Sequence, residues 1–294
     1  MANKEIKLGN FLVTETSDPY FIAEIGINHN GDMQVAKKLM DAAFSCDWDC
    51  VKFQKRTPDI AVPEAQKAVM RDTPWGRMTY LEYKKHIELE KPEYDFIDEY
   101  CRQKPLDWTA SVWDIPSLGF LMQYDIPFIK IPSALNTNKE LISEVCKTGK
   151  PIIISTGMTD LNEMDAMVDI LEKQSNGNYI ICHTNSSYPA PVGQLNLRLI
   201  QTIKERYDCL VGYSGHEYEI VTSIDAAVLG ARVIERHITI DHTMWGSDQA
   251  FSVEVQGMAS LKKRVVKSYQ ALGNGRKVLL QNELKKRHEL RGDV

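Results

Sequence analysis

The chain has 294 residues, 43% of them hydrophobic and 26% charged, with a formal net charge of −5 and a sequence pI near 5.9. That balance fits a globular protein of one large domain or two small ones, and gives no electrostatic reason to expect nucleic acid or an anionic membrane as partner. No apolar run approaches the ~20 residues that cross a bilayer, and "MANKEIKLGNFLV" lacks the apolar core of a signal peptide, so the expected location is cytoplasmic.

Taken in chain order, residues 1–19 hold an alternating stretch, 4–16, that turns at Gly9-Asn10 and reads as a β-hairpin capping the bottom of the fold. Eight short β-rich runs follow, at 20–27, 50–55, 107–112, 127–133, 151–156, 179–184, 209–214 and 232–239. Amphipathic helical stretches alternate with them, at 32–45, 93–103, 118–124, 141–148, 162–172, 197–206, 220–229 and 258–273. Eight strand–helix units at this length predict an α/β chain folded as one (β/α)8 TIM barrel over 1–294. A doubly wound open sheet is the competitor, but no GxGxxG follows the first run. Residues 56–92 form an insertion after the second strand, too long for an ordinary loop and at the end of the barrel where function is expected. Residues 274–294 read as a charged tail, with no further domain.

The six cysteines lie in apolar or helical contexts and are expected to be reduced, buried thiols. Cys46 and Cys50 have no second ligand pair nearby, which argues against zinc. Asn185-Ser186-Ser187 is a formal glycosylation sequon without meaning in a cytoplasmic protein.

Polar residues recur at the ends of the β runs. Glu24 closes the first; Lys52 and Gln54 share one face of the second; Thr109 and Ser111 lie on the third. Lys130 and Ser133 follow on the fourth, Ser155 on the fifth, His183 on the sixth, Ser214 and His216 on the seventh, and Glu235 and His237 on the eighth. In a (β/α)8 barrel these positions converge on one mouth. Lysines and hydroxyls gathered there suit a bound phosphate or carboxylate. Histidines on neighbouring strands seven and eight can share a metal ion, with Glu235 supporting them from below.

Plainer readings compete at single residues. A histidine at a strand end is often only hydrogen-bonded, and Glu24 with Lys52 can be a structural pair. Tyr80, Tyr83 and Tyr94 read as packing, His86, His242 and His288 as solvated, and Arg56, Arg71 and Arg77 as solvated insertion residues unless they form an extra phosphate site. Arg236 must point away from the mouth and find its own partner. A lysine at the mouth also raises a Schiff-base aldolase through Lys52 or Lys130, which would not need the histidine pair.

At the same residues the sequence resembles the sialic acid synthase (N-acetylneuraminate synthase) family. The matching pieces are "FIAEIGINHNGD", "VKFQK", "DIPFIKIPS", "PIIISTGM", "NSSYPAP", "VGYSGHE" and "IERHITIDHTMWGSDQAFS", in order from residue 21 to residue 252. The resemblance implies condensation of phosphoenolpyruvate with an open-chain aldose, N-acetylmannosamine or a related hexose derivative, to a nonulosonic acid with release of phosphate. It implies a divalent metal, Mn2+ first and Mg2+ or Co2+ otherwise, on His216 and His237. It places Lys52, Ser111, Lys130, Ser133, Ser155, Asn185, Ser186 and Ser214 around phosphoenolpyruvate, and Glu24, Gln54, Tyr188 and Asp248 around the sugar. Glu24, Lys52, Lys130 and the two histidines form the implied catalytic set. A homo-oligomer is compatible with it.

The sequence reads as a short member of the family, with no counterpart of its C-terminal antifreeze-like domain expected, and "PSALN" puts Leu135 where the family often has a glutamate. Both departures fall on sugar recognition. The alternatives are an octulosonate-8-phosphate synthase type of condensation on a phosphorylated pentose and, from another class, a non-catalytic sugar-binding barrel.

Overall fold

Eight parallel strands close into a barrel in the computed structural model, which describes residue 2 and residues 4–292. They are Tyr20–Gly26, Cys50–Lys55, Asp107–Val112, Ile129–Ile131, Ile152–Ser155, Tyr179–Thr184, Leu210–Gly215 and Val233–Thr239. Each pairs with the next, and the eighth closes on the first with Glu235 opposite Ile22 and His237 opposite Glu24. All eight expected runs form strands. The fourth is shorter than read because Pro127 and Pro132 flank it and have no N–H to give the ladder.

The two faces of each strand do different things. Outward residues such as Phe21, Val51, Phe53, Ile129 and Ile154 pack against the surrounding helices in the main core. Inward residues of the lower barrel, among them Tyr20, Ile22, Phe128, Ile153, Ile180, Leu210 and Val233, form a second cluster. The hairpin Glu5–Leu8/Phe11–Thr14 plugs that cluster from below with Ile6, Leu8 and Val13. Each fully buried aliphatic or aromatic side chain there contributes about 1.5–3 kcal/mol relative to exposure. Two residues further up the same inward faces come Glu24, Lys52, Lys130, Ser155 and Glu235, so the barrel interior changes from apolar to ionic within one layer.

The helices sit where the periodicity puts them, with starts moved by caps. The third expected helix begins earlier, Ile115–Leu121, because the Asp114 carboxylate accepts the Ser117 N–H and Pro116 suits the first turn. Residues 274–294 are not simply a tail: Gln281–Arg291 is helical, rich in good helix formers, with none of its residues buried. No described helix is long and apolar enough to cross a membrane. All six cysteines are buried free thiols.

The insertion folds as two short helical turns, a hairpin (Met70–Thr73/Gly76–Thr79) and the helix Tyr80–Ile87. A capping box starts that helix, Thr79 accepting the Glu82 N–H while Glu82 accepts the Thr79 N–H. Asp114, at the exit of the third strand, anchors the insertion's start by accepting from the Thr57 N–H (2.6 Å) and hydroxyl (3.0 Å). An aromatic clasp holds its top to the eighth loop: Trp75 and Tyr83 lie 5.5 and 5.4 Å from Trp245, and Asn30 donates to the Trp245 carbonyl. The insertion therefore roofs the mouth.

Candidate active site

Strand register brings the polar residues together. Glu24 stands beside Lys52, Gln54 beside Ser111, Ser111 beside Lys130, and Ser214 beside Glu235. The result is a buried ionic cluster. Lys52 Nζ lies 2.6 Å from Glu24 Oε2 and donates to Ser111 Oγ at 2.8 Å. Lys130 Nζ donates to both oxygens of Glu235 at 2.8 Å, and Ser214 Oγ donates to the same carboxylate at 2.9 Å. Lys52 reaches Glu235 at 3.6 Å, which joins the two pairs.

Burial opposes ionisation of Glu235, but Lys130 and Lys52 outweigh it and hold the carboxyl down at about 2. Glu24 goes the other way: burial, with the neighbouring Glu235 charge, pushes it up despite Lys52. Lys52 stays protonated because Glu235 and Glu24 overcome the burial that would lower it. A lysine held in its charged form is a poor Schiff-base nucleophile.

Hydroxyls line the other side. Ser133 Oγ accepts the Gly157 N–H at 3.0 Å, while the buried hydroxyls of Ser155 and Ser186 have no partner. The chain at Gly157 runs so close that a Cβ there would sit 2.0 Å from Ser186 Oγ and 2.8 Å from Ser133 Oγ. Unpartnered buried hydroxyls beside two ammonium groups are donors ready for an anion.

His216 and His237 stand above this cluster with ring centroids 5.4 Å apart. His216 Nδ1 lies 2.7 Å from the Asn185 carbonyl, which can only accept, so the proton is on Nδ1 and Nε2 carries a lone pair. His237 Nδ1 is buried without a hydrogen bond, Asp248 Oδ2 lying 3.6 Å away. Burial and the neighbouring His237 push His216 down to about 3; burial brings His237 to about 4 although Asp248 works against it. Both rings are neutral at pH 7, the state a metal ion needs in a ligand. Among the described residues no cluster of three or more histidine, cysteine, aspartate or glutamate side chains is arranged as a metal site, so the chain offers two imidazoles with the orphaned His237 nitrogen. Phe251 packs against both rings and Tyr188 against His216.

Of the residues singled out from sequence, Glu24, Lys52, Gln54, Ser111, Lys130, Ser133, Ser155, Tyr188, Ser214, His216 and His237 line one inner cavity, with Glu235. Ser186 lies at its edge against Gly157. Asp248 lines a second, outer cavity of about 350 Å³, which shares Gln54, Trp113, Tyr188 and His237 with the first. Asn185 is not brought in: its side chain donates to the Gln194 carbonyl and accepts the Ser187 N–H, and only its carbonyl serves the site, through His216.

Several readings need correction. His183 faces outward and bonds the Leu195 carbonyl at 2.6 Å. Arg56 is buried, stacked on Trp113 at 4.6 Å and donating to Gln54; Arg71 and Arg77 are exposed as read. Tyr80 lines the outer cavity rather than only packing, and Lys84 beside it went unnoticed in a run, "EYKKHIELEK", that looks like a solvated helix face. The i, i+4 spacing of Tyr80 and Lys84 was the available signal. His86 and His242 are exposed as read, His86 against Trp75 and His242 bonding the Ser252 carbonyl. Arg236 finds its partner in Glu217 at 2.9 Å, both fully buried.

Fold and site together define a (β/α)8 barrel with a lysine- and hydroxyl-lined mouth beneath a pair of neutral imidazoles. Residues 39–277 match the NeuB family, and the chain belongs to it. Human N-acetylneuraminate-9-phosphate synthase is 37% identical over 270 residues, 90% of this chain and 74% of that protein. The N,N'-diacetyllegionaminic acid synthase of Campylobacter jejuni subsp. jejuni serotype O:2 is 32% identical over 268 residues, 90% of this chain and 80% of that one. A solved N-acetylneuraminic acid (sialic acid) synthetase from Leptospira borgpetersenii serovar Hardjo-bovis, in complex with citrate, superposes with a TM-score of 0.87 at 29% identity and covers 98% of both chains.

Proposed function

We propose that this enzyme condenses phosphoenolpyruvate with the open-chain form of an aldose, N-acetylmannosamine or a related hexose derivative, to give a nonulosonic acid and inorganic phosphate. The observation that carries the reading is the convergence of two ion-paired lysines and two unpartnered buried hydroxyls on one cavity beneath neutral His216 and His237. The likeness to synthases of this type supports it.

Lys52 and Lys130 hold the carboxylate and phosphate, and the hydroxyls of Ser111, Ser133, Ser155, Ser186 and Ser214 complete the cradle, which is positioning plus charge stabilisation. Carbon three of phosphoenolpyruvate attacks the aldehyde carbon, a C–C bond forms, and the aldehyde oxygen takes a proton to become a hydroxyl. Water adds at carbon two, and the C–O bond to phosphate then breaks to leave the keto acid. Glu24 is the group to move or hold a proton there, its carboxyl being pushed up by burial. Gln54, Tyr188 and Asp248 orient the sugar. His216 and His237 would hold a divalent metal, Mn2+ foremost, which supplies Lewis-acid polarisation of the aldehyde when bound.

Phosphate release from phosphoenolpyruvate is the test, with a panel of aldoses, with and without EDTA. Turnover with an N-acylated hexose that EDTA abolishes is expected. No turnover with any aldose, or turnover indifferent to chelation, refutes the proposal.

A further inference from the structure

One buried carboxamide ties the loop after strand four to the loop after strand five. Asn136, only 2% exposed, ends the short turn Ser133–Leu135. It does not line the inner cavity but a separate one of about 290 Å³ against the helices Lys139–Lys147 and Leu161–Gln174. Its Nδ2 donates to the Ser155 carbonyl at 2.9 Å and to the Gly157 carbonyl at 3.2 Å, with the Thr159 hydroxyl oxygen 3.4 Å away. All three neighbours of that nitrogen can accept, which fixes the way the amide faces.

The loop held in this way contains a strained residue. Met158 stands at a φ of 62°, a conformation that non-glycine residues rarely adopt and that persists only where the surroundings impose it. The Thr159 hydroxyl donates to the Thr156 carbonyl at 2.5 Å. The carbonyls of Ser155, Thr156 and Gly157 are therefore all directed at donors that do not line the inner cavity. The Gly157 N–H is given to Ser133 Oγ at 3.0 Å, which takes one lone pair of that hydroxyl and leaves its proton to give. Nearby, the hydroxyls of Ser155 and Ser186 are buried and unpartnered. The loop thus meets an anion with hydroxyl protons and keeps its carbonyl oxygens turned away.

Resting on the reading that phosphoenolpyruvate occupies the inner cavity, we propose that Asn136 is a positioning residue for it. Without touching the substrate, the carboxamide holds the two loops at the spacing that lets Ser133, Ser155 and Ser186 donate to one anion. A side chain of similar size without the donor leaves two buried carbonyls unsatisfied. Such a loop is free to turn a carbonyl inward, which puts partial negative charge where the anion must sit.

Direct binding separates this from the condensation itself, because titration calorimetry of the full chain with phosphoenolpyruvate needs no turnover. Asn136→Leu is expected to weaken binding at least about tenfold, the order of one hydrogen bond to a charged group. Thermal unfolding shows whether the variant is folded, and Asn136→Ala carries the same expectation should the leucine not be accommodated. In a background already carrying Ser133→Ala and Ser155→Ala, the same change is expected to cost less than about threefold, since little is left to aim. Arg236→Met, a destabilised control whose ion pair lies outside the cradle, is expected to bind as the unmodified protein does. Folded Asn136→Leu within about threefold of the unmodified protein, or a full tenfold loss in the serine-depleted background, or an equal loss in Arg236→Met, overturns the assignment. Weakened binding in Asn136→Leu with no phosphate released alongside any aldose supports the assignment and refutes only the condensation. No binding of phosphoenolpyruvate by the unmodified protein overturns both.

Discussion

Replacing Lys130 with methionine would leave Glu235 as a buried charge with a single, more distant cation. In the unmodified protein Glu24, Lys52, Lys130 and Glu235 balance, two acids against two bases, with Lys130 at 2.8 Å from both Glu235 oxygens and Lys52 at 3.6 Å. Removing one partner of such a pair costs about 3–5 kcal/mol, whereas replacing both with apolar groups of similar volume is often neutral or stabilising. Lys130→Met should therefore lose about 3–5 kcal/mol by urea denaturation at pH 7, and Lys130→Met/Glu235→Met should recover most of it. Both should lose turnover.

The sign of the pH dependence gives a second check. Glu235 is held at about 2 against an ordinary 4.5, so its contribution is present above 4.5 and lost as the pH falls towards 2. The gap between Lys130→Met and the unmodified protein should thus be widest at neutral pH and narrow below 4.5. A single variant that costs less than about 1 kcal/mol, or a double variant as unstable as the single, would refute the reasoning.

Other expectations concern turnover and fold separately. His216→Ala and His237→Ala should each abolish phosphate release while circular dichroism and thermal unfolding show a folded barrel; retained turnover in either removes the ring from the site. Dialysis against EDTA should do the same reversibly, with Mn2+ restoring the rate. Gly157→Ala should raise the KM for phosphoenolpyruvate about tenfold or more, since its Cβ would meet Ser186 Oγ at 2.0 Å. Arg236→Met, which strands Glu217 in the core, should cost about 3–5 kcal/mol of stability yet leave the rate per folded molecule near normal.

The barrel was legible because its signals are local and repeated: period-two runs, helical stretches between them, and a polar residue at each strand exit. Lys52, Ser214, Glu235 and His237 could be placed on one face by alternation alone. Alternation says less about what happens past a strand's last hydrogen bond. Asn185 lies in a loop whose own turn uses its side chain, and His183 stands one residue out of phase with the cavity. Arg56 and Lys84 belong to an insertion whose packing depends on the aromatic clasp to Trp245, a contact made across more than 150 positions of sequence. Charge in that segment reads as solvated until the roof closes over it.

The plug of Ile6, Leu8 and Val13 has a kinetic consequence. With the lower barrel filled, the inner cavity is closed from below and shares Gln54, Trp113, Tyr188 and His237 with the outer one. On the proposed function, phosphoenolpyruvate, with its carboxylate and phosphate in the inner cavity, should arrive first, since an acceptor already seated above would bar its way. High acceptor concentrations should inhibit in competition with phosphoenolpyruvate, and phosphate should be the last product to leave. A hairpin at the foot of the molecule thereby dictates the sequence of events at its mouth.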